Sequence, residues 1–383
     1  MPGWQKGYEL DRLRSYSAPF KTQHKPLTFG AFGLVKERDI ADALSKNCLV
    51  WTGDPPSAVA IFSAMQRDSE RADFAGRPIC LKAPGFMVKS FAATSESSAN
   101  KLLGAILQKT TAPIYLEIFE EDTIAKAAAA QAGFEYVATR VSAGSEIKGI
   151  YSVNCSVDYE THPPEDLAVL TDLGPAYFNE EKLAAVRSEL ERAGEYWAQH
   201  YSSYNKRKSW TSFALRGFSD DPMFIIKPAE MSKKWKAENS EMLTERPRWT
   251  RLAGRFPKTM RIVESLGFEF DRLRFMRLHS KDGELSRHAD ITDREAGVQD
   301  EKITRLHVPI DTSDKVTFYG WTLRGEEIAK NFKPGSLFYL DQRKPHRVTN
   351  ADPGLDRVHL VMDVIGNGSV RGMIRQAEGH GKV

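Results

Sequence analysis

The sequence predicts an α+β chain with two folded parts: an N-terminal α/β domain, then helices leading into an antiparallel sandwich or jelly roll. Three observations lead there. Residues 26–155 alternate strand-like and helix-like runs. From Trp210 onward, short runs of alternating polarity are separated by Gly, Pro and Asp turns. A length of 383 residues suits two domains better than one.

In chain order, residues 1–25 are polar and carry Pro2 and Pro19, which reads as an arm. "NCLVWTG", "SAVAIFSAM" and "FMVKSFAA" read as strands. "ESSANKLLGAILQKT" places apolar residues three and four apart, which predicts a helix with one buried face. "APIYLEIFEED" returns to strand and "TIAKAAAAQAGF" to helix, with Thr123 as the expected N-cap and Gly133 as the stop. "FEYVATRV" and "IKGIYSVN" close the domain as strands. Residues 156–170 hold paired prolines and few apolar side chains, a linker. Helices follow the linker, with "FNEEKLAAVRSELERAGEYWAQHYSSY" strongly periodic. Residues 171–383 then form the second domain, with strands at "WTSFALRGF", "FDRLRFMRLH", "ITRLHVPIDT", "KVTFYGWTL", "GSLFYLDQ", "HRVTN" and "RVHLVMDVIG".

Composition excludes several classes. A hydrophobic fraction of 41% builds real cores, while 27% charged residues with net charge +3 describe neither a polybasic nor an acidic-tail protein. No apolar run approaches the roughly 18 residues of a membrane span. The start, "MPGWQKGYELDRLRSY", lacks the apolar core of a secretory signal. Three cysteines, Cys48, Cys80 and Cys155, are odd in number and far apart; they fit small buried side chains in a reducing compartment. A cytoplasmic protein with no membrane partner is expected.

Chemistry gathers in the second half. "GELSRHADIT" holds the only His-x-Asp pair in the chain, His288 and Asp290, after a glycine turn. "GSLFYLDQRKPHRVTN" adds His346 behind Pro345, in a turn between two strand-like runs. In a jelly roll, strands that far apart in sequence face each other across the barrel mouth. Two imidazoles and one carboxylate occupy a face of octahedral iron(II) and leave three positions for cosubstrate and dioxygen. Arg357 follows His346 by eleven residues, where a guanidinium can grip the distal carboxylate of a dicarboxylate cosubstrate. Each feature alone is an ordinary surface or turn residue. The three together carry the iron reading.

Residues about 205–365 resemble the iron(II)- and 2-oxoglutarate-dependent oxygenases, in the aspartyl/asparaginyl β-hydroxylase branch, through "HAD" at 288–290, "ITRLHVPI" at 303–310, "GSLFYLDQRKPHRV" at 335–348 and "RVHLVMDV" at 357–364. The resemblance implies a double-stranded β-helix with iron(II), 2-oxoglutarate and O2, and hydroxylation with release of succinate and CO2. It also implies that Arg305 faces 2-oxoglutarate beside Arg357. Arg277 stands nearest a further polar position of that branch and is left outside the site. Asp290 fills the place where halogenase relatives have a small residue, so hydroxylation is expected. The expected substrate is an amino-acid side chain, free or in a peptide or protein. Two rivals are a nucleobase or nucleic-acid oxygenase and a non-catalytic cupin-like binding protein.

Residues about 30–155 resemble the GNAT acyltransferase fold through "IYLEIFEEDTIAKAAAAQAGFEYVATR". That fold holds a pyrophosphate on a glycine-rich turn at a helix N-terminus. Here the turn reads "TSESSANK", without glycine, so a non-catalytic GNAT-like module is expected, with an active acyltransferase as the rival. "NKRKSW", "SKKWK" and "RPRWTR" interleave bases with tryptophans; they read either as a nucleic-acid surface or as solvated faces with Trp anchored in the core. His279, His307 and His359 read as packing or supporting residues.

Overall fold

The computed structural model describes residues 49–379 apart from 53–56, 75–77, 94, 109, 142–145, 158–167, 175–176, 194–195, 201–204, 206, 291–294 and 324–325. The expected arm (1–25) and most of the expected linker (156–170) lie outside the described residues. The chain divides into two compact units, the first made up mainly of residues 1–164 and the second mainly of 165–383, with the short segments 143–145 and 323–325 exchanged between them.

The first unit runs β1 (Leu49–Thr52), β2 (Ala58–Met65), β3 (Ser69–Ala72), β4 (Pro78–Leu81), β5 (Gly85–Ala93), α1 (Glu96–Leu107), β6 (Ile114–Phe119), α2 (Thr123–Gln131), β7 (Glu135–Val141) and β8 (Ile147–Val153). Six strands form one sheet in the order β1-β2-β5-β6-β8-β7, with β3 and β4 as a separate hairpin. Only the β5–β6 pair within that sheet is parallel. The helical periodicity of α1 buries Ala99, Leu102, Leu103 and Ile106 against strand residues such as Val88, Leu116 and Ile118. The cap of α2 corrects the sequence reading: Asp122, not Thr123, accepts from Ala125 N–H at 2.9 Å. A carboxylate meets the free amides of a first turn better than the hydroxyl one residue on. Gly133, at φ +80°, follows the helix as expected.

The second unit runs β9 (Leu170–Gly174), α3 (Glu180–Leu190), β10 (Ala198–Gln199), β11 (Trp210–Gly217), α4 (Lys233–Glu238), β12 (Arg248–Trp249), α5 (Pro257–Glu264), β13 (Phe270–Leu278), β14 (Gly283–His288), β15 (Ile303–Asp311), β16 (Val316–Trp321), β17 (Glu327–Lys330), β18 (Leu337–Leu340), β19 (His346–Asn350), β20 (Arg357–Ile365) and α6 (Gly368–Ala377). In the periodic stretch after residue 177, helix α3 takes up Glu180–Leu190. A 3-10 turn at Glu191–Ala193 ends it, and Ala198 instead pairs with Ser212 at the sheet edge.

From β13 onward the chain alternates between two antiparallel sheets. A large one has the order β10-β11-β13-β20-β15-β18-β9, with β12 on β11; a small one has the order β14-β19-β16-β17. Period-two alternation gives each strand of the large sheet two functions. Leu273 and Phe275 of β13, Leu306, Val308 and Ile310 of β15, and Leu360, Met362 and Val364 of β20 share one core with Leu183 and Val186 of α3, Val263 of α5, and Val370 and Ile374 of α6. The opposite face turns Arg272, Arg274, Arg305, His307 and Arg357 toward a cavity that the small sheet closes with Leu285, His288, Phe318, His346 and Val348. No helix among the described residues is long and apolar enough to cross a membrane. Cys80 and Cys155 are free thiols, half-buried rather than buried; Cys48 lies outside the described side chains.

Candidate metal centre

His288 ends β14. The turn before it has Lys281 and Asp282 at positive φ, and a Cβ on Gly283 would lie 2.1 Å from the His279 carbonyl oxygen, so only glycine starts this strand. A bulge between Leu285 and His288 restores register so that His288 pairs with His346 on β19. The ring centroids are 4.3 Å apart. His288 Nδ1 lies 2.8 Å from Ser286 O, and His346 Nδ1 lies 3.0 Å from Lys344 O. Backbone carbonyls accept from both Nδ1–H groups and leave each Nε2 as the ligand atom. Asp290 follows in the loop, where its N–H donates to Gln342 O at 2.8 Å and clasps the β14 exit to the β18–β19 turn. That turn is itself fixed: Arg343 donates to Asp341 through Nε and Nη2 at 2.8 and 2.9 Å.

One ligand atom from each of His288, Asp290 and His346 falls within 4.8 Å of the other two. Burial pushes both imidazoles down, His346 to about 3 with help from His288 beside it, so they are neutral ligands. Burial would raise Asp290, but Arg305, His288 and His346 outweigh it and hold the carboxylate ionised below its usual range. Two neutral imidazoles and one carboxylate suit iron(II).

The cavity over the triad is about 340 Å³. Arg357, on β20, is 3% exposed and lines it, and its Nε has no acceptor. Burial alone pushes its guanidinium down to about 9. A buried cation facing a cavity, with the Phe318 ring 5.2 Å away and no carboxylate partner among the described residues, fits the distal carboxylate of a dicarboxylate. His307 and His359 stand near it with both ring nitrogens unpartnered. Arg305 lines the same cavity, but its Nη1 donates to Asp290 Oδ2 at 2.7 Å and its Nε to Asp363 Oδ1 at 2.8 Å.

His307 and His359 take the supporting place expected of them, whereas His200, Arg272 and Arg274 are cavity residues that the sequence reading does not single out. The signal was present as polar residues two apart in "RLR", "RLH" and "RVH", which put both on one face of a strand. His200 lines the cavity and stacks on Trp210 with centroids 3.5 Å apart. Trp210 is 9% exposed, in keeping with a tryptophan anchored in the core. Trp249, at 39%, is not. His279 turns to Asp356 (3.1 Å), and Arg277 to Thr211 and the Trp197 ring.

Residues 180–366 match the family model described as aspartyl/asparaginyl β-hydroxylase. No curated protein matches the chain. Solved structures similar to it include a 2OG-Fe(II) oxygenase family oxidoreductase from Burkholderia pseudomallei, at 13% identity over 51% of this chain and 84% of that one (TM-score 0.35). Another is a prolyl-4-hydroxylase from Pseudomonas putida, at 15% identity over 52% and 94% (TM-score 0.29). A third is a GNAT family acetyltransferase from Streptococcus agalactiae, at 9% identity over 40% and 94% (TM-score 0.31). Family match and triad together define a 2-oxoglutarate-dependent oxygenase with iron(II) as its metal and 2-oxoglutarate and O2 as cosubstrates.

Proposed function

We propose that the second unit, a double-stranded β-helix over residues 171–383, hydroxylates an unactivated C–H bond of an amino-acid side chain, free or in a peptide or protein, with release of succinate and CO2. The carrying observation is the pairing of a two-histidine, one-carboxylate triad with a buried arginine that has no anionic partner among the described residues. His288, Asp290 and His346 hold the iron; Arg357 holds the distal carboxylate of 2-oxoglutarate, with His307 and His359 beside it. Bound iron supplies the oxidation chemistry, which no side chain can. The residues around it orient and exclude water: Phe318, Leu285, Val348 and Leu340 wall the cavity. Arg305 serves 2-oxoglutarate through Asp290, by fixing that carboxylate, more than by direct contact.

The first unit is read as a non-catalytic GNAT-like module over residues 26–155. Incubating the full chain with iron, ascorbate, 2-oxoglutarate and candidate amino acids or peptides, with mass spectrometry for a gain of one oxygen, tests the reading. Succinate formation with no oxygenated product from any of them would limit it to 2-oxoglutarate turnover.

A further inference from the structure

Arg272 and Arg274, neighbours on one face of β13, have no part in the reaction described above. They are 3% and 4% exposed, and both line the cavity. Their Nη2 atoms stand 2.7 and 2.8 Å from one shared oxygen, Asp363 Oδ2. The other oxygen of Asp363 accepts from Arg305. Two guanidinium forks carry five donors each, and one carboxylate oxygen cannot satisfy both. The Nε of each finds no acceptor among the described residues. Asp271 lies 3.7 Å from Arg272 Nε, too far for a hydrogen bond, and Glu230, solvent-exposed at the cavity edge, adds its negative charge to Asp363's on Arg274.

Register sets this pair apart from Arg357. Arg272 pairs with Asp363, Arg274 with Val361 and Leu278 with Arg357, so six and four residues of β20 separate Arg272 and Arg274 from the Arg357 end, roughly 20 and 13 Å at a strand's rise. Arg305, bonded to Asp290 and to Asp363, lies between the triad and the pair. A 2-oxoglutarate held at the metal and by Arg357 cannot also reach Arg272 and Arg274. The cavity therefore has a second cationic end, with planar donors that match a carboxylate.

We propose that Arg272 and Arg274 form a second carboxylate subsite, which holds the carboxylate of the substrate to be hydroxylated; this rests on reading the triad and Arg357 as the metal and 2-oxoglutarate centre. A volume of about 340 Å³ must take both molecules. That favours an acid of amino-acid size, whether a free amino acid's α-carboxylate or an acidic side chain inserted from a peptide.

The test uses the full chain loaded with Zn(II) and N-oxalylglycine, an inert 2-oxoglutarate analogue, so that Arg357 is taken. Titration with 13C-acetate, followed by NMR line broadening, should show saturable binding, while acetamide should show none. Arg272→Gln and Arg274→Gln should each weaken acetate binding tenfold or more and leave N-oxalylglycine affinity within twofold. Arg274→Lys, which keeps the charge and guards against misfolding, should lose less than Arg274→Gln. Competition by free L-amino acids against N-acetylated, C-amidated peptides containing Asp or Glu then assigns the source of the carboxylate. No saturable acetate binding, equal competition by acetamide, or wild-type acetate affinity in both Gln variants would overturn the subsite. Failure of Zn(II) and N-oxalylglycine to bind would instead overturn the reading of the centre itself.

Discussion

Arg305 donates to Asp290 Oδ2 at 2.7 Å, and its other edge donates to Asp363 Oδ1 at 2.8 Å. A buried aspartate on β20 therefore positions, through one guanidinium, the carboxylate of the metal triad on the β14–β15 loop. Asp363 is fully buried, and Arg305, Arg272 and Arg274 together hold it ionised well below the carboxylate range against the opposing effect of burial. Asp363→Ala should leave three buried guanidinium groups without their shared anion, at roughly 3–5 kcal/mol. Urea unfolding of the second unit reads this as a lower midpoint; an unchanged midpoint would show that the cluster contributes nothing to folding.

The metal triad is the next test. His288→Ala, Asp290→Ala and His346→Ala should each abolish succinate formation. Retained far-ultraviolet circular dichroism should accompany the loss, because the three side chains face a cavity and not the helix-backed core. Metal titration should show the deficit directly, and full turnover by His346→Ala would remove it from the ligand set.

Arg357 and Arg305 should separate by what they affect. Truncating a partly desolvated arginine that pairs with a carboxylate costs roughly 2–5 kcal/mol. Arg357→Ala should therefore raise the 2-oxoglutarate KM about tenfold or more with little change in iron affinity. Arg305→Ala should mainly weaken iron binding, since Asp290 loses its brace. The opposite pattern would mean that Arg305 is the direct contact.

The buried N-cap Asp122 gives a pH test in the first unit. Burial raises its carboxyl from 3.8 to about 6. A folded value above the unfolded one means that the folded state binds the proton more tightly between those limits. The ionised group thus costs stability above pH 6, and that cost disappears as pH falls toward 4. Asp122→Asn keeps an acceptor for Ala125 N–H without the charge. It should be more stable than wild type at pH 8, by at most about 3 kcal/mol, and equal at pH 4. A pH-independent difference between the two would refute the assignment.

The alternation of the β-rich half, and the His-x-Asp…His…Arg spacing on it, were legible because each strand has one apolar face and one polar face. The polar face was legible only as polarity. That Arg272 and Arg274 meet Asp363, 89 residues after Arg274, depends on the β13–β20 register, which no local pattern encodes. Sequence left His307 open between packing and support for the same reason: its neighbours Phe338 and His359 come from other strands. Helical periodicity after residue 177 likewise carries no mark of where the helix stops, because Ala198 leaves it to pair with Ser212 on another strand.

Acetyl-CoA should not bind the first unit. In the GNAT-like reading its pyrophosphate would sit at the N-terminus of α1, where close approach to backbone amides is needed. Here Ser95 Oγ already accepts from Ser98 N–H, and Glu96 places a carboxylate in the first turn. A second anion would meet like charge and an occupied donor, and no glycine between Thr94 and Lys101 opens the backbone. Isothermal titration of the full chain with acetyl-CoA should give no saturable heat at micromolar concentrations, and its melting temperature should not move. Micromolar binding that is lost on removing the Ser98 amide, as in Ser98→Pro, would show that side chains build the cradle without glycine, and the first unit would then be a second active site.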